Sequence, residues 1–236
     1  MLKLENFTKQ FPNGKYGAKN ISLEVKPKDI CAFIGHNGAG KTTTIKSIVG
    51  INSFTSGDII INGKSIKKSP LECKKDIAYV PDSPEIYPSL TGIQYLNLIA
   101  DIFSISKEER KKSIMQLAEK LELENDLNSP ISSYSHGMKQ KLIIISGFIH
   151  NPKLLILDEP FVGLDPKASY TIKNMMKEFA DNGGAIFFST HVLEVAEKLC
   201  NKVAIIKNGS LVKFGTMEEI KQDKTLEDVF LRGENE

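Results

Sequence analysis

The stretch GHNGAGKTTT, residues 35–44, decides the fold of this chain. It matches the pattern G-x-x-x-x-G-K-[ST], in which glycines let backbone N–H groups approach a row of phosphates and a helix N-terminus attracts their negative charge. The apolar run ICAFI precedes it, and Ile45, Ile48 and Val49 follow at helical spacing. Because the pattern requires a strand before the loop and a helix after it, the sequence predicts a phosphate-binding loop.

Individual residues of this loop have predicted roles. Lys41 is expected to reach the β and γ phosphates of a nucleoside triphosphate, and Thr42 to ligate Mg²⁺. The other loop residues predicted to bind the nucleotide are Gly35, Asn37, Gly38, Ala39, Gly40 and Thr43.

Length and composition are those of an ordinary globular protein. The chain has 236 residues, 41% hydrophobic and 25% charged, enough for one large domain or two modest subdomains. Its net charge is +2, and its only arginines are Arg110 and Arg232. Nucleic-acid surfaces usually gather Arg and Lys on one face, so no nucleic-acid partner is expected.

The chain is expected to be soluble by itself. Its start, MLKLENFTKQF, lacks the apolar core of a signal peptide, and its longest apolar run, LIIISGFI, is too short to span a bilayer. Cys31, Cys73 and Cys200 have no metal-ligand spacing. Scattered cysteines of this kind favour a reducing cytosol over a disulfide scaffold.

The order of strand and helix patterns predicts an α/β fold. Short alternating runs fill residues 2–34, and residues 83–150 carry helical spacing, with Thr91 as one N-cap and Ser106 with Glu109 as a capping box. Strand patterns return in KLLILD, AIFFST and KVAIIKNGSLV. Strands that alternate with helices predict a mostly parallel sheet.

Two adjacent carboxylates follow an apolar run at Asp158 and Glu159. The run predicts a buried strand, and α/β sheets bind ligands at the carboxyl ends of such strands. Beside a phosphate loop, Asp158 is expected to hold Mg²⁺, and Glu159 to orient or deprotonate the water that attacks the γ phosphate. Without the loop, the run would equally fit a buried strand that ends in a solvated acidic turn.

Residues 131–166 extend this interpretation to a family. They read ISSYSHGMKQKLIIISGFIHNPKLLILDEPFVGLDP and resemble the signature helix, Walker B strand and D-loop of ATP-binding cassette (ABC) ATPases. The resemblance implies an α/β P-loop (RecA-like) core with an antiparallel β subdomain and an inserted helical subdomain. It also implies a head-to-tail dimer that encloses two ATP molecules, each between one subunit's P-loop and the other's signature.

The resemblance implies one ABC ATPase domain over residues 1–236. The core and β subdomain would occupy about 1–82 and 151–236, and the helical subdomain about 83–150. Ser135 and Gly137 match the signature residues that contact the partner's γ phosphate, whereas His136 and Met138 stand where Gly and Gln are usual.

Further positions carry roles that the resemblance implies. Asp165 matches the D-loop aspartate at the dimer seam, and His191 matches the switch histidine that contacts the γ phosphate. The predicted catalytic set is therefore Glu159, His191 and Lys41. Phe11 is the first candidate for stacking on adenine, with Tyr16 as the alternative.

Asp82 departs from the family pattern, because it stands where the Q-loop has glutamine. Its carboxylate can still ligate Mg²⁺ through oxygen, although it adds negative charge beside phosphate. The predicted metal ligands are thus Thr42, Asp82 and Asp158, and the predicted cofactors are ATP and Mg²⁺.

The resemblance also implies a partner in the membrane. The chain would sit in the cytoplasm, on the inner face of the cell membrane, bound to a separate permease and to a second ATPase subunit, identical or homologous. The permease would meet residues 83–100, including Tyr87 and Tyr95.

The segments YSHGMKQ and DEPFVGLDP look most like those in the ATPases of bacterial exporters of drugs or antimicrobial peptides. The alternatives are a soluble ABC ATPase, such as one for iron–sulfur assembly, and a nucleotide-regulated protein that hydrolyses nothing.

Overall fold

A ten-stranded mixed sheet forms the centre of the protein. The structure, a computed structural model, describes residues 1–83 and 86–232. The strands are β1 (Leu2–Gln10), β2 (Tyr16–Val25), β3 (Ile30–Ile34), β4 (Ser56–Ile61), β5 (Lys64–Ser65), β6 (Ile77–Val80), β7 (Leu154–Asp158), β8 (Ala185–Thr190), β9 (Lys202–Lys207) and β10 (Ser210–Thr216). They lie in the order β5-β4-β1-β2-β10-β9-β3-β8-β7-β6.

The helices fall between and after the strands. They are α1 (Lys41–Ile48), α2 (Pro70–Lys75), α3 (Gly92–Ile102), α4 (Lys107–Lys120), α5 (His136–Ile149), α6 (Pro166–Asp181), α7 (Leu193–Leu199), α8 (Met217–Lys221) and α9 (Leu226–Arg232), with a short 3₁₀ helix at Ile131–Ser133. The predicted α/β class is confirmed. Helices α3, α4 and α5 all lie in the chain between β6 and β7, within the segment predicted to be helical. The subdomain boundaries stay a prediction.

The sheet has a parallel half and an antiparallel half. Strands β9, β3, β8, β7 and β6 run parallel, whereas β1 pairs antiparallel with β2 and β4, and β4 with β5. The expectation of a mostly parallel sheet is therefore correct for only half of it. The physical reason is the short connection between β1 and β2, because parallel neighbours need a long crossover and antiparallel ones need only a turn.

Parallel pairing brings the predicted site to one edge of the sheet. Ile34 at the end of β3 pairs with Thr190 of β8, and Ser189 pairs with Asp158 at the end of β7. The phosphate loop, the two acids and His191 follow these strand ends directly. Their side chains therefore meet although they are far apart in the chain.

Two apolar clusters cover the two faces of the sheet. Successive strand residues point to opposite faces, so Leu155 and Leu157 belong to the cluster of α5 and α6, while Leu154 and Ile156 belong to the cluster of α1 and β1.

Cys31, Cys73 and Cys200 are buried free thiols. Burial raises the pKa of Cys31 and Cys200. Across residues 1–83 and 86–232, no helix is both long and apolar enough to cross a bilayer.

Helix starts in the predicted helical segment show two kinds of cap. Thr91 accepts a hydrogen bond from the Gln94 backbone N–H, and the Gln94 side chain accepts one from the Thr91 N–H, a complete capping box. Ser106 likewise accepts from the Glu109 N–H, but the Glu109 carboxylate accepts from the Ser106 hydroxyl at 2.7 Å instead of from its backbone. The predicted Ser106–Glu109 box is therefore wrong in its second half.

Replacing Thr91 by alanine is expected to lower the free energy of unfolding by about 1 kcal/mol, because an orphan amide at the start of α3 loses its acceptor. Chemical denaturation of Thr91→Ala measures the loss. Thr91→Ser, which keeps the hydroxyl, is the matched control and should remain near wild type. An alanine variant as stable as the serine variant would contradict the role of the cap.

Candidate functional site

The phosphate loop can be built only with glycine at position 40. Gly40 starts α1 with φ 107°, a left-handed conformation that side chains rarely adopt. A Cβ there would overlap the carbonyl oxygen of Gly17. The loop thus passes close against β2, and this contact connects the antiparallel half of the sheet to the site.

Lys41 holds a buried positive charge inside the loop. Its side chain is only 7% exposed, and its Nζ donates to the carbonyl oxygens of Gly35 at 2.7 Å and His36 at 3.3 Å. The Glu159 Oε1 atom lies 3.7 Å from the same nitrogen. A buried ammonium needs such partners, and Lys41 also lines the cleft over the loop.

Asp158 ends β7 with its side chain fully buried. Its Oδ1 accepts a hydrogen bond from the Ser189 hydroxyl, while Oδ2 has no hydrogen-bond partner among residues 1–83 and 86–232. Desolvation raises the pKa of this carboxyl, and the charges of Asp82 and Glu159 add to the rise, whereas the hydroxyl groups of Ser189 and Thr42 oppose it.

A buried oxygen without a partner requires an explanation, and a metal ion supplies one. Carboxylate and hydroxyl oxygens are ligands that suit Mg²⁺. Thr42 and Asp82 line the same cleft as the phosphate loop and interact with Asp158. The donor set that the sequence predicted therefore fits this ion.

Glu159 brings the predicted catalytic residues together. Its Oε2 lies 3.0 Å from His191 Nδ1, and its Oε1 faces Lys41. The residue adopts a left-handed backbone with φ 48°, which is unfavourable for a residue with a side chain. Its backbone N–H donates to the Ser189 hydroxyl at 3.0 Å.

Sequence reasoning did not identify Ser189, although AIFFST was recognised as a strand. The available signal is a hydroxyl two residues before His191 in an apolar run. Its importance depends on the pairing of β8 with β7, which places Ser189 opposite Asp158.

An open cleft of about 640 Å³ lies over the loop. Phe11 and Tyr16 both line it, and each is partly exposed. A Lys side chain lies over each ring, Lys9 at 5.5 Å from the Phe11 centroid and Lys19 at 5.3 Å from that of Tyr16. Both aromatic residues thus remain candidates for stacking on a base. Lys15 and Asn208 also line the cleft and were not predicted.

Comparison with known proteins agrees with this geometry. A family model described as "ABC transporter" matches residues 18–162. The chain belongs to this family. It is 36% identical over 218 residues to the ABC-type transporter ATP-binding protein EcsA of Bacillus subtilis, covering 90% of this chain and 88% of that protein.

Solved structures of ABC ATPases have the same fold. An ATP-binding subunit of an ABC transporter superposes with a TM-score of 0.94 at 32% identity, over 99% of both chains. The ATP-binding cassette MJ0796, solved as a dimer in a post-hydrolysis state with ADP and phosphate, gives 0.84 at 25% identity, over 92% of this chain and 99% of that one. The chain is therefore the ATP-hydrolysing ABC ATPase of a transporter.

The ABC signature and D-loop form a separate surface. Ser135 caps α5 by accepting from the Met138 N–H at 3.2 Å, and Asp165 caps α6 by accepting from the Ala168 N–H at 2.8 Å. That hydrogen bond is the main cause of the lowered pKa of Asp165. Within the described part of the chain, neither residue lines the cleft over the loop of its own chain.

His136, the departure from the usual signature, packs on the D-loop. Gly163 has φ 76°, and a Cβ there would overlap the imidazole ring of His136. A Cβ on Gly137 would lie 3.1 Å from the carbonyl oxygen of Gly163. The signature and the D-loop of one chain therefore touch directly, and the histidine fills the space over Gly163.

Asp82 is expected to support Mg²⁺ binding through an oxygen. The variant Asp82→Gln should keep ATPase activity, whereas Asp82→Ala should require about tenfold more Mg²⁺ for half-maximal activity, a typical cost of losing a metal-site group. Phosphate release measured against Mg²⁺ concentration checks this.

Asp181→Ala, at the exposed end of α6, removes the same charge away from the cleft and is the matched control. If Asp82→Ala and wild type hydrolyse ATP and drive transport at equal rates at limiting Mg²⁺, Asp82 has no such role.

Proposed function

We propose that two ATPase subunits dimerise head to tail, hydrolyse ATP with Mg²⁺, and drive a separate membrane permease that exports its substrate. The observation that carries the proposal is the position of the Glu159 carboxylate, 3.0 Å from His191 Nδ1 and 3.7 Å from Lys41 Nζ. The proposed base Glu159, the cationic Lys41 and His191 therefore lie together at the edge of the sheet that carries the phosphate loop.

The chemistry follows from these positions. Backbone N–H groups of the loop and Lys41 bind the β and γ phosphates. Glu159 takes a proton from a water, whose oxygen bonds to the γ phosphorus as the bond to the ADP oxygen breaks. Because His191 Nδ1 contacts Glu159, its Nε2 is the ring nitrogen assigned to the γ phosphate.

Thr42, Asp82 and Asp158 would hold Mg²⁺ in this proposal. When bound, the ion neutralises charge on the β and γ phosphate oxygens. The unpartnered Oδ2 of Asp158 supports this assignment. Arg110 does not line the cleft, and we assign the remaining charge stabilisation to Lys41, His191 and the helix N-termini.

The signature surface supports the dimer. Ser135 and Gly137 open α5, a helix of 14 residues whose N-terminal N–H groups can face an anion. They lie outside the cleft of their own chain. The dimeric state of MJ0796 with ADP and phosphate is a precedent for two cassettes acting together.

A surface around residues 83–100 is proposed to bind the permease; residues 84 and 85 lie outside the described range. Tyr87 is 61% exposed. Tyr95 instead lines a cavity of about 240 Å³ together with Tyr79 and Phe103. Ile102, at the end of α3, is 66% exposed.

The proposed export direction and the position on the inner face of the cell membrane rest on the family resemblance of YSHGMKQ and DEPFVGLDP. The described helices include none that could span a bilayer.

Glu159→Gln is expected to hydrolyse ATP at least about a hundredfold more slowly, since it removes the base, and to form a stable dimer with ATP. Light scattering with ATP or ADP, alongside phosphate release, measures both effects. Lys41→Ala, which weakens phosphate binding, is the control that should stay monomeric. Failure of Glu159→Gln to dimerise while it still binds ATP would contradict the enclosed-nucleotide dimer.

A tagged pull-down from gently solubilised source cells tests the permease. A multispan membrane protein should be recovered in stoichiometric amount with wild type and with Tyr170→Ala, a control tyrosine that is 67% exposed on α6. Recovery should fall with Tyr87→Ala. Capture of only soluble partners by an active ATPase would favour the iron–sulfur assembly alternative over transport.

A further inference from the structure

Ser189 is the only residue of β8 whose hydroxyl contacts both acids of the neighbouring strand end, among the hydrogen bonds of the described residues. It is fully buried. Its Oγ donates to Asp158 Oδ1 and accepts from the Glu159 backbone N–H at 3.0 Å. A hydroxyl has one hydrogen to donate. The Ser189 hydroxyl therefore donates to the carboxylate, which can only accept, and accepts from the amide, which can only donate.

These two hydrogen bonds act on different groups. The first occupies Oδ1 of Asp158, and Oδ2 is left as the oxygen without a hydrogen-bond partner in the described part of the chain. The second holds the backbone of Glu159 in its left-handed conformation, φ 48°, which a residue with a side chain adopts only when its surroundings impose it. From this backbone the carboxylate reaches both Lys41 and His191.

Packing alone does not explain a serine at position 189, because its neighbours in β8 are apolar. Phe187 and Phe188 precede it in β8 and are fully buried apolar residues. A buried hydroxyl in such a strand costs free energy unless it is hydrogen-bonded. Its partners are the carboxylate of one acid and the amide of the next. Thr190 differs, because its hydroxyl accepts from the Val192 N–H and touches neither acid in the recorded hydrogen bonds.

We propose that Ser189 is a positioning residue for ATP hydrolysis. Its single hydroxyl orients the free oxygen of Asp158 toward the metal and sets the backbone from which Glu159 reaches the water. It acts through these two residues and does not touch the nucleotide. The inference rests on the proposed roles of Asp158 and Glu159.

The test compares Ser189→Ala, Ser189→Thr and Ser189→Val. Threonine keeps the hydroxyl, whereas valine has nearly the same shape without it, so the Thr and Val pair separates hydrogen bonding from packing. Ser47→Ala is the matched control for loss of a buried hydroxyl, because Ser47 Oγ bonds only to the Thr43 carbonyl at 3.0 Å among the recorded contacts.

Two readouts distinguish positioning from stability. The first is Mn²⁺ affinity in the presence of ADP, measured by electron paramagnetic resonance on the full chain, and the second is kcat and KM for ATP. We expect Ser189→Ala and Ser189→Val to bind Mn²⁺ about tenfold more weakly and to lose about tenfold or more in kcat, as for other groups that orient a metal ligand. KM for ATP should change much less. Ser189→Thr and Ser47→Ala should bind Mn²⁺ as wild type does.

Wild-type Mn²⁺ affinity and kcat in folded Ser189→Ala would overturn the proposal, as would equal losses in the Thr and Val variants. If Ser189→Ala does not fold, the Thr and Val comparison decides. The Glu159→Gln variant shows whether a negative result contradicts only the positioning role of Ser189 or also the proposed function. Full turnover by Glu159→Gln would remove the assigned base, whereas a slow Glu159→Gln beside a wild-type-like Ser189→Ala would remove only the positioning role.

Discussion

The buried carboxylate of Asp158 is the constraint on which the site depends. A charge at the end of an apolar strand is unfavourable, and desolvation raises its pKa. The Ser189 hydroxyl donates to Oδ1, and Oδ2, which has no hydrogen-bond partner among the described residues, is the oxygen proposed to bind Mg²⁺. Strand β8 supplies the hydroxyl that contacts this carboxylate, and Thr42 of the phosphate loop lies beside it.

The sheet supplies that placement. Five parallel strands end at one edge, and the loop after β3 turns into α1 only because Gly40 can approach the carbonyl oxygen of Gly17. This close contact makes β2 part of the site. It also explains why Phe11 and Tyr16, from the antiparallel half, line the same cleft as Lys41. The two halves of the sheet thus contribute different parts of one nucleotide site.

The unusual signature has a local structural explanation. His136 occupies the space over Gly163, so the start of α5 and the D-loop before α6 are packed against each other within one chain. Both segments begin helices whose caps, Ser135 and Asp165, are exposed. The imidazole ring of His136 makes a contact with the D-loop that glycine, the usual residue at this position, could not make.

Some of this protein could be read directly from its sequence. The phosphate loop, the buried strand before Asp158 and the start of α3 at Thr91 were all predicted, because each depends on residues that are close together in the chain. The α/β class followed from the alternation of such patterns. The predicted capping box of Ser106 and Glu109 and the prediction of a mostly parallel sheet were less accurate, since a side-chain rotamer and the partner of a strand are not local properties.

The sequence by itself indicated which residues could bind phosphate and take part in ATP hydrolysis, because a glycine- and lysine-containing loop at this spacing, together with two acids after an apolar strand, is typical of few other sites. Only the tertiary structure decided how they act together. The register of β7 against β8 places Ser189 opposite Asp158, and the left-handed turn at Glu159 sends its carboxylate between Lys41 and His191. A shift of one residue in that register would turn Ser189 to the other face of the sheet, and no pattern along either strand specifies the pairing.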